Sequence, residues 1–242
     1  MTRQNRRRVG RGGFVAALAV VVAVGGVMAT GGRSSAHPAG GAAKTAKHAA
    51  TANDTLIVAV PSDMQNLDPT LSSADVPTQE TLTNVYDWLV DYKVVKKGGQ
   101  QIGDANQFVG GLAKSFSWNG KHTVLTFKLR PGLKFNNGDP LDAAAVKFTY
   151  DRIFGQKGVT VGNLFLSGIT KPTQIKVVNK STVTFTVSKP NNLIFGNMAQ
   201  FGNSILDPKL IKSHVTSADP YAHNWLGSNV GGGAQGPFFL QS

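Results

Sequence analysis

Three constellations in this chain have residue types and spacings that could do chemistry. Gly231, Gly233 and Gly236 match G-x-G-x-x-G, a spacing that lets backbone approach a pyrophosphate when a strand precedes it and a helix follows. Pro237, Phe238 and Phe239 follow instead, so the run reads as a loop. Asp63 and Asp68 are near enough in sequence for paired acid–base work. Pro69, however, restricts the residue before it, and Asp68 is expected to shape a loop. His122, His214 and His223 lack the two-His-plus-Glu helical spacing of a zinc hydrolase, and no serine sits in a nucleophile elbow. Cysteine is absent, which excludes a disulfide framework, a thiolate metal site, a cysteine nucleophile and a lipidated cysteine. The expectation is a chain with no catalytic residue, no metal and no cofactor, which binds without transforming.

Charge narrows the binding partners once it is located. The chain has a formal charge of +12, yet eight of its 25 cations precede residue 54 with no acid among them. The remaining 17 face 13 acids, a balance of +4. That is a mixed-sign surface, and nucleic acid is not an expected partner.

The cationic start has its own meaning. Arg3, Arg6, Arg7, Arg8 and Arg11 precede an uncharged stretch, Gly12 to Gly32, whose centre from Phe14 to Val24 is almost wholly apolar. This is the order of a secretory signal, with the cations held at the cytoplasmic face. Residues 1–32 are therefore expected to be a signal peptide or, if retained, a membrane anchor. Residues 33–53, rich in Ala, Gly, Ser and Thr, are expected to be a flexible linker. The body of the protein is expected outside the cytoplasm, in the periplasm or on the outer face of the membrane.

In the exported part, Thr55 to Val60 reads as a strand ended by Pro61, and Ser62 to Pro77 as a loop. Leu82, Val85, Tyr86 and Leu89 recur at helical spacing behind Thr78, predicting a helix over 78–90 with Thr78 as its cap. Hairpin signals follow: Asp91 to Val95 before Gly98-Gly99, and Ala113 to Trp118 joined to Thr123 to Leu129 by a tight Asn119-Gly120 turn. Leu133 to Phe135 reads as a further strand. Asp142 can cap a helix whose Val146, Tyr150 and Ile153 share a face, ending near Gly155. Gln174 to Val178 and Thr182 to Val187 make another strand pair. Leu193 to Phe201 is expected to be helical, and Asp207-Pro208 to open a short helix. Hairpins with interspersed helices predict an α+β fold with a mixed sheet. The apolar run Phe238-Phe239-Leu240 just before the last residues leads to the expectation that the chain is a fragment.

The segment Leu125-Thr126-Phe127-Lys128-Leu129-Arg130-Pro131-Gly132-Leu133-Lys134-Phe135-Asn136-Asn137-Gly138-Asp139-Pro140-Leu141 resembles the signature of family 5 extracellular solute-binding proteins, the peptide and nickel receptors of ABC importers. Leu67-Asp68-Pro69, Tyr86 to Val90, Gly111-Leu112-Ala113 and Gly236-Pro237-Phe238 are similar to further pieces of that family, in its order. Two features depart from it: Ala144 and Ala145 stand where acids are frequent, and the glycine-rich turn 231–236 is longer.

The resemblance implies the first lobe of a two-lobed periplasmic-binding-protein-like fold with an inserted β-hairpin subdomain. Residues 54–90 would be the first part of lobe I, 91–168 the inserted subdomain, and 169–242 the continuation of lobe I. It also implies a substrate-binding component of an ABC importer that takes short peptides or similar small solutes as a monomer and delivers them to permease subunits. Met64, Gln65 and Asn66, in the loop after the first strand, would face the ligand. A membrane-anchored sensor on the same scaffold is the alternative, and a secreted hydrolase a more distant one. Cleavage is expected after Val27-Met28-Ala29 or Ser34-Ser35-Ala36. Intact-mass measurement of the exported protein checks this: a mature chain starting at residue 30 or 37 supports a signal peptide, and an uncut one an anchor.

Overall fold

The computed structural model describes residues 59–60, 62–71, 75–229 and 233–238. These belong to the second of two compact units, Leu56–Ser242. The expected signal, the linker, most of the expected strand 55–60, and Gly231 lie outside the described residues.

Helix α1 spans Val76–Val85, and its N-cap is Asp75, whose carboxylate accepts from the Thr78 backbone N–H. Thr78 is therefore inside the first turn and not the cap expected of it. The overlooked signal is Asp75-Val76-Pro77, a capping acid with proline at the helix start. Thr78 instead turns its hydroxyl to the preceding loop, where Oγ1 accepts from the Gln65 N–H at 2.9 Å. The helix also stops short of residue 90. Its last carbonyls are taken by a crossing segment: Gly236 N–H donates to Val85 O (2.8 Å) and Phe238 N–H to Asn84 O (3.3 Å).

Strands β1 (Val90–Lys97) and β2 (Gln100–Gly110) form a two-stranded antiparallel ribbon. Gly98 and Gly99 both have positive φ, 59° and 83°, the geometry of a two-residue hairpin turn that follows strand twist. β2 was not anticipated, because Gln100-Gln101-Ile102-Gly103-Asp104-Ala105-Asn106 has no alternation and Ile102 as its one β-branched residue; pairing with β1 makes it a strand.

Four strands form the second sheet, in the order β3-β4-β6-β5: β3 Ala113–Trp118, β4 Val124–Leu129, β5 Ile175–Asn179 and β6 Thr182–Thr186. Each pairing is antiparallel. The sheet takes two strands from each side of residue 168. The β3–β4 connection is wider than the tight turn expected at Asn119-Gly120. His122 carries the positive φ (52°), and Asn119 Oδ1 accepts from the N–H groups of Thr123 and Val124. Asn119 thus works as a side-chain cap of a longer loop. Leu133 to Phe135 contributes a single bridge, Lys134 to Pro140, in place of the expected strand.

Helix α2, Ala143–Gln156, is capped by Asp142 as expected. It runs through Gly155, which is glycine for a packing reason: a Cβ there would lie 2.4 Å from the Tyr221 ring. Helices α3 (Val159–Leu166), α4 (Leu193–Met198), α5 (Pro208–Ser213) and α6 (His223–Ser228) complete the described elements. The sheet and α2 enclose one apolar cluster, in which Phe127 and Tyr150 both meet Phe185 edge-on at 5.4 and 4.9 Å. A second cluster joins Leu67, Leu82, Val85 and Tyr86 to Leu206, Ile211 and Leu226. The architecture is the α+β class expected, but both described sheets are antiparallel and not mixed, because hairpins join β1 to β2, β3 to β4 and β5 to β6, and β4 meets β6 antiparallel.

Gly236 permits the crossing at the end of α1, since a Cβ would sit 2.5 Å from Val85 C and 2.8 Å from Asn84 O. Both are backbone atoms, which cannot swing aside. Gly236→Ala is expected to cost about 1–3 kcal/mol, read by urea unfolding; an unchanged midpoint would show that the crossing moves freely.

Candidate functional site

The loop from Ser62 to Leu71 has no regular secondary structure and is ordered by side chains. Asn66 Oδ1 accepts from the Asp68 N–H (2.8 Å), and Leu67 N–H donates to Gly227 O in α6 (2.9 Å). Leu67 enters the second apolar cluster, which drags Asp68 inside with it.

Asp68 has no solvent exposure, and a lone buried carboxylate would be very costly. Its two oxygens are saturated. Oδ1 accepts from the Thr70 N–H (3.1 Å) and Arg152 Nη1 (3.0 Å). Oδ2 accepts from Arg152 Nη2 (2.6 Å), Gln156 Nε2 (3.1 Å) and His223 Nδ1 (3.0 Å). The Arg152 contact is the bidentate fork that matches a carboxylate. Arg152 spends its remaining Nε–H on Tyr221 O (2.9 Å), and Thr160 Oγ1 donates to Thr70 O (3.0 Å). Three segments of chain, the loop itself, α2 and α6, thus meet at one acid.

The electrostatics follow from the contacts. Burial alone would raise the Asp68 pKa, but the hydrogen bonds from His223 and Arg152, with the Arg152 charge, hold it well below the usual carboxylate range. The bond to Asp68 raises the His223 pKa, against partial desolvation and the Arg152 charge. Burial and the Asp68 charge push the Tyr86 phenol far up. An acid with every lone pair occupied exchanges no proton near neutrality and has no site left for a metal ion. Asp68 is therefore a structural anchor, well beyond the loop-shaping role expected from Pro69.

Of the three residues expected to face a ligand, Met64 and Gln65 are exposed, Met64 to 42%. Asn66 is half-buried, with Nδ2 3.5 Å from His223 Nε2. The loop thus brings Asn66 to the outer edge of the Asp68 network, while Met64 and Gln65 stand on the solvent side. Asp63 is exposed and takes no part in the network. Arg152, Gln156 and His223 were not legible as partners. Arg152 left one trace, lying on the buried side of α2 beside Thr149 and Ile153.

A concavity of about 380 Å³ lies away from this network, lined by Phe108, Phe116, Trp118, His122 and Phe195 among others. Its rings pack on one another, with Phe195 5.0 Å from Phe116 and edge-on to Trp118 at 6.2 Å. Among the described residues no group of three or more His, Asp or Glu side chains could hold a metal ion. None of the described helices is long and apolar enough to cross a membrane.

Comparison with solved structures defines the class. The chain is similar to a periplasmic oligopeptide-binding protein of an ABC transporter from Borrelia burgdorferi (TM-score 0.54, 20% identity, 68% of this chain and 32% of that one). It is also similar to NikA from Brucella suis, solved in complex with Fe(III)-EDTA (TM-score 0.53, 24% identity, 76% of this chain and 32% of that one). The fold is that of the periplasmic binding proteins. Residues 107–242 match the bacterial extracellular solute-binding proteins, family 5 Middle, and the chain belongs to that family, one of binding proteins and not of enzymes. Among sequence relatives it is 31% identical over 199 residues to the probable D,D-dipeptide-binding periplasmic protein DdpA of Escherichia coli (strain K12), across 81% of this chain. The chain spans 35% of that relative's length.

Breaking a buried ion pair from one side strands the other charge. Asp68→Asn and Arg152→Ala are each expected to lose about 3–5 kcal/mol in urea unfolding. Because the Asp68 pKa is depressed on folding, its contribution is complete above the unfolded value of about 3.9 and fades as pH falls toward the folded one. Stability measured from about pH 5 downward should therefore drop in the natural protein, and drop less steeply in Asp68→Asn. Equal slopes would remove the ion pair from the account.

Proposed function

We propose that this protein is the extracytoplasmic substrate-binding component of an ABC importer, that it takes short peptides, and that it delivers them to a membrane permease. Membership of family 5 carries the solute-binding part. The peptide part is supported by the likeness to a protein named for D,D-dipeptides and by the fold shared with an oligopeptide-binding protein. In this reading Met64, Gln65 and Asn66 line one wall of the ligand cleft and a second lobe supplies the other. Residues 54–90 and 169–242 belong to the first lobe, and 91–168 to its inserted part, whose β3 and β4 share one sheet with β5 and β6.

The loop suits such a wall. Its exposed tip presents Met64 and Gln65, while its base is locked through Asp68. A wall held in its binding conformation loses less entropy on capture, at about 0.5–1.5 kcal/mol per side chain that would otherwise be immobilised. Micromolar affinity requires about −8 kcal/mol, more than a few exposed hydrogen bonds at about 1 kcal/mol each. Closure of two lobes over the solute would supply the difference.

Isothermal titration of the protein from its whole reading frame, with D-Ala-D-Ala, L-Ala-L-Ala, a tripeptide and Fe(III)-EDTA, tests this reading. Micromolar or tighter binding of at least one peptide is expected, with Asn66→Ala weakening it about tenfold, equivalent to about 1.4 kcal/mol. Binding of Fe(III)-EDTA alone would make the solute a metal complex, and hydrolysis of the peptides would overturn the receptor reading.

A further inference from the structure

The Asn66–His223 contact has a donor and acceptor logic that can be followed atom by atom. The Asp68 backbone N–H donates to Asn66 Oδ1 at 2.8 Å, which fixes the orientation of the amide. Asn66 Nδ2 must then be the atom facing His223 Nε2, at 3.5 Å. On the other side of the ring, Nδ1 lies 3.0 Å from Asp68 Oδ2. An ionised carboxylate can only accept, so Nδ1 carries a hydrogen whatever the charge of the ring. Neutral His223 therefore has its lone pair on Nε2, where it receives the Asn66 N–H.

Protonation changes one atom of this arrangement. The added proton can go only to Nε2, and two N–H donors then confront one another. Turning the amide over does not relieve the conflict, because Oδ1 would abandon the Asp68 N–H. The charged state thus presents two converging donors, one of them cationic, and no acceptor between them. From this geometry we infer that Asn66 Nδ2 and protonated His223 Nε2 form a proton-gated site for a carboxylate oxygen of the bound solute. The inference rests on the reading above in which this loop faces the solute, and it adds which group of the solute is held.

Access agrees with that assignment. Asp68 and Arg152 are closed to solvent, with side-chain exposures of 0% and 1%, whereas His223 is 32% exposed. Of the two ring nitrogens, Nδ1 is taken by Asp68, so Nε2 is the one left for a ligand. Gly227 lies against the Asn66 amide, and a Cβ there would approach Oδ1 to 3.1 Å. Three charged groups face His223: Asp68 from the loop, Arg152 from α2, and Asp219 from the turn before α6. Arg152 already compensates Asp68. Asp219 is engaged with the backbone, its two oxygens accepting from the N–H groups of His223 and Asn224 at 2.8 Å each. Asp68 and Asp219 both favour the charged ring against Arg152, so the imidazolium is available to a carboxylate as a hydrogen-bond donor on Nε2. Ionic hydrogen bonds are about twice as strong as neutral ones, which selects carboxylate over amide.

NMR of the full chain labelled with 15N-histidine tests the site, with sodium acetate and acetamide as probes. At about pH 8 His223 should be the neutral tautomer protonated on Nδ1. On acidification Nε2 should gain its proton while the Asn66 side-chain amide signal shifts with the same midpoint. Acetate should raise that midpoint by about one unit, a tenfold preference for the charged form, and acetamide should leave it in place. Asn66→Ala should keep the titration and lose the acetate effect. A neutral ring protonated on Nε2, an amide signal that ignores the titration, equal responses to the two probes, or an undiminished acetate effect in Asn66→Ala would each overturn the site. The acetate response needs no peptide: a responsive protein that binds none of the peptides retires the receptor reading alone, and a peptide binder without the response retires this site alone.

Discussion

A carboxylate with no solvent exposure dictates the arrangement of the loop that could meet a ligand. Asp68 is buried because Leu67 and Pro69 on either side of it are buried too, and once inside it must find cations and donors or lose its charge. The donors come from Thr70 in the same loop, from Arg152 and Gln156 on α2, and from His223 on α6. Few loop paths satisfy all of them together, so a segment without secondary structure acquires a defined course. Such a pair is not an efficient source of stability compared with apolar packing. What it supplies is selection of one loop conformation among many.

Helix α2 is the element through which this selection reaches the rest of the fold. Its Val146, Tyr150 and Ile153 belong to the cluster under the four-stranded sheet, and Phe148 packs against the second cluster with Leu67 and Leu226. Arg152 leaves the same helix toward Asp68. Thr149, buried beside it, accepts the Leu206 N–H at 2.9 Å and fixes the segment that leads into α5. Because the sheet and α2 are ordered by a large apolar core, the guanidinium arrives at the loop in one position. The polar network therefore inherits its precision from packing elsewhere.

Elements whose determinants are local were legible in the sequence. Asp142 and Asp207 cap helices where their spacing says they should, and the alternating runs at 113–118, 124–129 and 182–186 became strands. Where the deciding contact is distant, the sequence carried little of it. β2 is a strand because β1 lies beside it, and α1 ends where Gly236 crosses it. The Asp68 network is the extreme case, since Arg152 and His223 are 84 and 155 residues away from the acid they share. Asn66 could be placed in a loop from the sequence, but its hydrogen-bond state depends on a histidine that nothing in its neighbourhood of sequence foretells.

Solvent exposure across the network rises from 0% at Asp68 to 32% at His223, and this gradient separates two kinds of work. At the inner end water is excluded, every polar atom of Asp68 is matched, and a solute could gain nothing there. At the outer edge hydrogen bonds compete with water and are individually weak, yet their geometry is already set by the inner end. If a second wall closes over that edge, the local dielectric falls and the same bonds strengthen without any further ordering of the protein. The closing motion then adds affinity instead of spending it on arranging side chains. That outcome requires the acid to be saturated before any solute arrives, because an unsatisfied Asp68 would itself draw approaching donors inward and dissolve the edge.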